Sequence, residues 1–179
     1  MRIIGGEWKG RRLEIPSKNW PVRPTTDFAR EALFNILDNR LDYETISALD
    51  LFGGTGIHSF ELASRGCKDI TYVDRYRDSV KYMNKMKREW SLPMVIVQSD
   101  VMKFISNAVR TWDYIFADPP YDMKGIEEFP AALLQAQHLT PAGFAILEHR
   151  SQLKFHHIPG FIEDRHYGQT VFSFFAAGS

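Results

Sequence analysis

From residue 46 onward the chain alternates short apolar runs with amphipathic stretches, and the two periodicities predict strands and helices in turn. Ile46 to Leu51 reads as a buried strand, and Ile57 to Arg65 as a helix reached through a glycine loop. Ile70 to Val73 predicts a second strand, followed by a helix from Tyr76 to Trp90 in which Tyr76, Val80, Met83 and Trp90 share one stripe. Met94 to Val97 is a third strand, Val101 to Val109 a short helix and Tyr114 to Ala117 a fourth strand. Ile126 to Gln137 reads as helix, and Ala142 to Glu148 as a fifth strand. Such alternation implies a parallel sheet covered on both faces and reached by right-handed crossovers. The tail changes character: Phe161 to Tyr167 and Thr170 to Phe175, split by Gly168-Gln169, predict a closing antiparallel hairpin. Its Phe172, Phe174 and Phe175 read as core filling. Upstream, Asp27 to Leu41 is an amphipathic helix with Thr26 as N-cap. The expected fold is therefore α/β and Rossmann-like, a mostly parallel seven-stranded sheet ending in an antiparallel hairpin.

Composition narrows the class. A chain of 179 residues, 44% hydrophobic and 25% charged, is an ordinary globular domain with room for a small appendage. No apolar run reaches membrane length and no secretory h-region is visible, so a cytoplasmic protein is expected, with no membrane partner. Cys67 is the single cysteine, and the histidines lack metal-ligand spacing, so neither a disulfide nor a metal is expected.

Net charge is zero but unevenly spread. Residues 1–24 hold six basic side chains (Arg2, Lys9, Arg11, Arg12, Lys18, Arg23) against Glu7 and Glu14, interleaved with glycines and Trp8. This pattern suits a phosphate-gripping arm, with a short hairpin pairing Arg2–Ile4 with Arg12–Ile15. Residues 25–179 form the main domain. A second basic cluster, Arg75, Arg77, Lys81, Lys85, Lys87 and Arg88, reads as the solvated face of a helix.

The most informative chemistry follows the fourth strand: Asp118-Pro119-Pro120-Tyr121. Each proline lacks an N–H and fixes φ, and the first holds Asp118 extended, so the turn is stiff and poor in donors. It can aim carbonyl oxygens and the Asp118 carboxylate at an amino group that must give up hydrogens. Tyr121 adds a flat face for a base, a contact worth about 1–3 kcal/mol in other nucleic-acid proteins.

The loop Phe52-Gly53-Gly54-Thr55-Gly56 lets the backbone approach a ligand in front of the next helix. Asp50, Asp74, Asp100 and Asp118 stand near the ends of the first four strands, the edge where open α/β sheets bind ligands. Four acids converging there suit a cationic ligand. Dinucleotide-binding proteins share the glycine loop and the spaced acid, but have no need of the Asp-Pro-Pro-Tyr turn.

With these residues in place, the chain resembles class I S-adenosylmethionine-dependent methyltransferases. More narrowly, it resembles the bacterial small-subunit (16S) ribosomal RNA guanine-N2 methyltransferases of the RsmD type. The likeness is carried by Met1-Arg2-Ile3-Ile4-Gly5-Gly6, Lys9-Gly10-Arg11-Arg12-Leu13, Arg23-Pro24-Thr25-Thr26-Asp27 and Arg30-Glu31-Ala32-Leu33-Phe34-Asn35. The glycine loop, Glu61, Ser64-Arg65-Gly66, Val73-Asp74-Arg75 and the Asp-Pro-Pro-Tyr turn continue it over nearly the full length. Two departures stand out: the family commonly has alanine at Gly53 and leucine-glycine at His58-Ser59.

The resemblance implies that Asp50 to Gly56 hold the methionine moiety, that Asp74 binds the ribose hydroxyls, that Asp100 with the Val101 backbone contacts the adenine, and that Arg75 belongs to the same cofactor-binding set. Thr25 and Thr26 would close over the cofactor. Arg2, Lys9, Arg11, Arg12 and Arg23 would hold RNA phosphates. Asp118, Pro119, Pro120 and Tyr121 would present the target amine. A monomer acting on ribosomal RNA or a small-subunit particle is expected. The alternatives are an adenine-N6 DNA methyltransferase and a non-catalytic RNA-binding assembly factor.

Overall fold

Apolar runs bounded by turns become the strands of a single seven-stranded sheet, in the order β3-β2-β1-β4-β5-β7-β6. The computed structural model describes residues 1–14 and 26–177. The elements are α1(Asp27–Leu37), β1(Ser47–Leu51), α2(Ile57–Ser64), β2(Asp69–Asp74), α3(Arg77–Trp90), β3(Met94–Gln98), α4(Val101–Asn107), β4(Trp112–Ala117), α5(Phe129–Gln135), β5(Leu139–Arg150), β6(Phe161–Tyr167) and β7(Thr170–Ala176). Strands β1 to β5 run parallel; β7 pairs antiparallel with both β5 and β6. The expected α/β architecture and its closing hairpin are thus present.

The chain winds outward through β1, β2 and β3, then crosses back to β4 on the other side of β1. That reversal is the topological switch point, and the carboxyl ends of β1 and β4 face it. Two apolar layers flank the sheet. One gathers Leu33, Phe34, Phe60, Tyr72, Met83 and Phe172; the other gathers Leu49, Val73, Ile115, Phe129, Leu147 and Phe175.

Element ends moved where local chemistry outweighed periodicity. α1 stops at Leu37 instead of Leu41, because the Asp38 carboxylate turns aside to accept from Tyr43 Oη at 2.8 Å and Arg65 Nε at 3.0 Å. α5 starts at Phe129 instead of Ile126, with Pro130 in its first turn, where a missing N–H costs nothing.

Residues 1–14 are stitched to the domain. Ile3 and Leu13 are buried in the first apolar layer, and Arg2 pairs with Arg12 in one antiparallel bridge. Ile4 N donates to Glu61 Oε1 at 2.9 Å, Glu7 N to Ser64 O at 2.7 Å and Trp8 N to Ser64 Oγ at 2.9 Å. Gly6 explains the fit: at φ +73 it lies so close to the Ser64 carbonyl that a Cβ would sit 2.0 Å from it.

Candidate functional site

β1 leaves the sheet at Leu51 and the chain reverses through Phe52 to Gly56 before α2 begins. Phe52 adopts φ 58, Gly54 φ 52 and Gly56 φ 73, three left-handed residues in a five-residue loop. Glycine takes that geometry freely, whereas Phe52 is held in it against its preference. Asp74, at the end of β2, ties the loop down: Oδ2 accepts from Gly54 N at 2.8 Å and Oδ1 from Tyr76 N at 2.7 Å. Burial raises the Asp74 carboxyl above its usual range, and those two backbone bonds partly offset the rise.

The two departures in this region now have a physical reading. A Cβ on Gly53 would lie 2.2 Å from the Tyr72 ring, so Tyr72 occupies the space an alanine would use. Tyr72 Oη also donates to Gly54 O at 2.8 Å, replacing packing with a hydrogen bond. Ser59 donates from its N–H at 3.2 Å and its hydroxyl at 2.5 Å to Asp50 Oδ2, clamping the first turn of α2 to β1. His58 is buried, stacked on Phe116 with centroids 3.7 Å apart and hydrogen-bonded to Tyr114 Oη at 3.0 Å. Burial, then Arg65 and Arg30, hold its pKa well below the usual histidine range, so it is a neutral core group.

At the carboxyl edge of the sheet lies a cavity of about 760 Å3. Its walls are Phe52, Asp74, Arg75, Tyr76, Asp100, Val101 and Met102 on one side, and residues 118–124 with Arg150 on the other. Ligand pockets commonly enclose about 300–1,000 Å3, so there is room for a nucleoside-sized molecule and a base together. Asp118 stands half-buried in the cavity wall, and its N–H donates to Leu51 O at 3.3 Å and locks the turn to β1. Parallel register pairs Ala117 with Leu147, so Asp118 and the buried Glu148 follow side by side on neighbouring strands. Burial, then Glu148, then Asp50 raise the Asp118 carboxyl well above its usual range. Burial also pushes Asp50 up to about 7 despite its bonds from Ser59, with Asp74 adding to the rise.

Nine of the residues expected at the site line this one cavity: Phe52, Asp74, Arg75, Asp100, Val101, Asp118, Pro119, Pro120 and Tyr121. Asp50, Gly53, Gly54, Thr55 and Gly56 form the structure beneath it. Thr26 caps α1, accepting from Ala29 N at 3.2 Å, away from the cavity wall. Thr25 and Arg23 lie outside the described residues. Of the expected RNA-gripping group, Arg11 lies over the Trp90 ring at 3.6 Å and Arg2 approaches Asp27 at 3.7 Å. Lys9 and Arg12 are exposed.

Sequence reasoning missed Arg150, Lys124, Tyr76 and Glu148. The rule that found the four aspartates, acids at strand ends, would have found Glu148 had it been carried on to the fifth strand, but not the cation Arg150 two residues on.

A family described as Conserved hypothetical protein 95 matches residues 1–176. The ribosomal RNA small subunit methyltransferase D of Escherichia coli K12 is 33% identical over 129 residues, 72% of this chain and 64% of that protein. The chain belongs to the RsmD-type methyltransferase family. A solved hypothetical protein of Thermus thermophilus superposes with TM-score 0.85 at 27% identity, covering 98% of this chain and 99% of that one. A T. thermophilus 16S rRNA N2 G1207 methyltransferase, solved with AdoMet and guanosine, shares the fold at TM-score 0.68 and 24% identity, over 87% of this chain and 44% of that one. RsmD-type membership agrees with the full-length likeness seen in the sequence, N-terminal block included. Among the described residues no helix is long and apolar enough to cross a membrane.

Proposed function

We propose that this protein transfers a methyl group from S-adenosylmethionine to the exocyclic N2 of a guanine in small-subunit ribosomal RNA. The observation that carries this reading is the Asp118-Pro119-Pro120-Tyr121 turn, which faces one shared cavity with Asp74, Asp100 and Val101 at the switch point of the sheet. Family membership supports methyl transfer. Asp74 and Asp118 in the lining, both raised in pKa, support a cationic donor, because a positive ligand would restore their ionisation.

When bound, S-adenosylmethionine supplies an electrophilic methyl on a sulfonium. Phe52 and Asp74 would hold it from the loop side, Asp100 and Val101 from the far end. The chain's remaining work falls on the acceptor. Guanine N2 is a weak nucleophile because its lone pair is delocalised into the ring. The Asp118 carboxylate and the Pro119 carbonyl accept its two hydrogens, drawing the nitrogen out of plane and aiming the lone pair. Asp118 then takes the proton lost from N2, a role its raised proton affinity suits. Holding the two reactants together contributes strongly, since effective molarities for aligned pairs reach about 10⁵–10⁸ M. A base in a stacked helix does not reach such a pocket, so the substrate is an exposed or flipped nucleotide. The reading also implies a cytoplasmic site of action, on naked RNA or a small-subunit particle.

The test is a labelled-methyl assay on naked rRNA, small-subunit particles and duplex DNA, with nucleoside digestion of the product. N2-methylguanosine from RNA or particles is expected. Label on adenine N6 would move the reading to the rival amino-methyltransferase class, and no label on any substrate would favour a non-catalytic assembly factor.

A further inference from the structure

β5 is the longest strand of the sheet, and its last residue, Arg150, reaches the cavity on the acceptor side. The register that sets Asp118 beside Glu148 carries Arg150 on to the level of the turn that follows Asp118. Alternation along the strand sorts its last three side chains. His149 points into the hairpin, where its ring nitrogen meets Ser173 Oγ at 2.6 Å. Glu148 and Arg150 share the opposite side, next to the acceptor turn. The Arg150 guanidinium lies over the Tyr121 ring, 4.3 Å from its centroid, and both residues line the cavity. Packing against an aromatic ring restrains a guanidinium through its flat face and leaves the N–H groups at its rim for a further acceptor.

Guanine makes a particular demand on such a site. Its pairing edge runs from the N2 amine through N1–H to O6: two donors followed by an acceptor. If Asp118 and Pro119 receive the N2 hydrogens, O6 lies at the far end of that edge and calls for a donor. Adenine presents an amino group where guanine presents O6. A guanidinium is all donor and never an acceptor, so it rewards guanine and leaves adenine's amine opposed. The acceptor turn by itself recognises only an amine, so something else must tell the bases apart.

We propose that Arg150, braced on Tyr121, is the specificity-determining residue that donates to guanine O6 and so selects guanine over other amino-bearing bases. The proposal rests on the guanine-N2 reading above and adds the residue that enforces it. Lys124, the other cation on this side of the cavity, is the comparison residue.

2-Aminopurine separates the two ideas, because it keeps the C2 amine and lacks O6. Once the labelled guanine is mapped, the same RNA is prepared with guanine or 2-aminopurine at that position, and kcat/KM is measured for the native protein, Arg150→Ala, Arg150→Lys and Lys124→Ala. One well-placed guanine contact is worth about ten- to a hundredfold in discrimination, so the native protein should prefer guanine by that factor. Arg150→Ala should bring the ratio close to one, mostly through loss of rate on guanine. Arg150→Lys should restore part of the preference, and Lys124→Ala should leave it unchanged. Two results would overturn the proposal while leaving guanine-N2 methylation intact: no native preference for guanine, or a preference that survives in Arg150→Ala. A native protein that methylates no guanine overturns the functional reading instead. Circular dichroism of each variant verifies that the exposed substitution has not unfolded the chain.

Discussion

Two groups of buried carboxyls in this molecule are treated in opposite ways. Glu61, on α2, is fully buried and saturated: Arg30 Nε donates to it at 3.3 Å, Arg65 Nη1 at 2.5 Å and Ile4 N at 2.9 Å. Arg30 then reaches Asp27 and the Arg2 carbonyl, so one ion network joins the N-terminal segment, α1 and α2. At the carboxyl edge, Asp50, Asp74, Asp118 and Glu148 crowd together; burial raises the pKa of the first three, Asp74 adds to the rise at Asp50, and Glu148 and Asp50 add to that at Asp118. A fold that supplies two arginines to one glutamate has the means to neutralise its acids. Leaving the edge acidic reserves that charge for a ligand, and the comparison separates a carboxylate that holds the chain from those that act on a substrate.

The sharpest break between the two regions comes from single substitutions. Asp118→Ala should cost about 10²–10⁴-fold in methyl transfer, the usual scale for a proton-accepting side chain, while leaving S-adenosylhomocysteine binding by calorimetry nearly unchanged. Near-native turnover would remove Asp118 from the chemistry. Glu61→Ala should do the reverse. It removes the carboxylate that Arg30 and Arg65 share and leaves their charge to the more exposed Asp27 and Asp38; breaking a buried pair typically costs about 3–5 kcal/mol, read as a drop in the denaturation midpoint. If Glu61→Ala unfolded no more readily than the native chain, the network would be ornament rather than scaffold.

How much of this was visible beforehand depended on whether the signal was local. The strands of the parallel sheet and the Asp-Pro-Pro-Tyr turn announce themselves within a few residues, and the structure puts them where periodicity and strand-end logic expected. The helix stripe is corrected, because α3 buries Ser79, Tyr82, Met83 and Met86 while Tyr76 stands exposed ahead of it on the cavity wall. The Glu61 network does not. Its partners stand 57, 31 and 4 residues away, at Ile4, Arg30 and Arg65, and only the fold brings them together. The family likeness pointed to Glu61 without giving it a role. Gly53 was likewise visible only as a departure, since its reason, the Tyr72 ring, sits on the neighbouring strand. Arg150 was hidden by the assumption that the important edge residues are acids.

The next prediction tests whether the acidic edge works as a coupled set. Asp118 must be ionised to accept from N2, and its raised pKa means that activity climbs as pH rises through that value. Glu148→Gln removes the neighbouring negative charge, which is the largest contribution after burial. Asp118 should then ionise more readily, and the rising limb of the kcat/KM profile should move to lower pH. Asp118→Asn should abolish the limb altogether. A limb that stays in place in Glu148→Gln would mean that the two carboxyls are screened from each other.

The smallest effect concerns Asp50, where the acidic edge touches stability instead of turnover. Its carboxyl holds a proton up to about pH 7 in the folded chain, against an ordinary value of 3.8. Between those values the folded state binds more protons than the unfolded one, so this group's contribution to stability falls as pH rises across the window. Asp50→Asn removes the titration but keeps an oxygen that can accept from the Ser59 N–H and hydroxyl. The variant's Tm should therefore decline less steeply than the native protein's over the same range, with the two closest below pH 4, where the native carboxyl is neutral in both states. Parallel curves would show that Asp50 ionises freely under the glycine loop. The edge would then not be holding protons that a cation could displace.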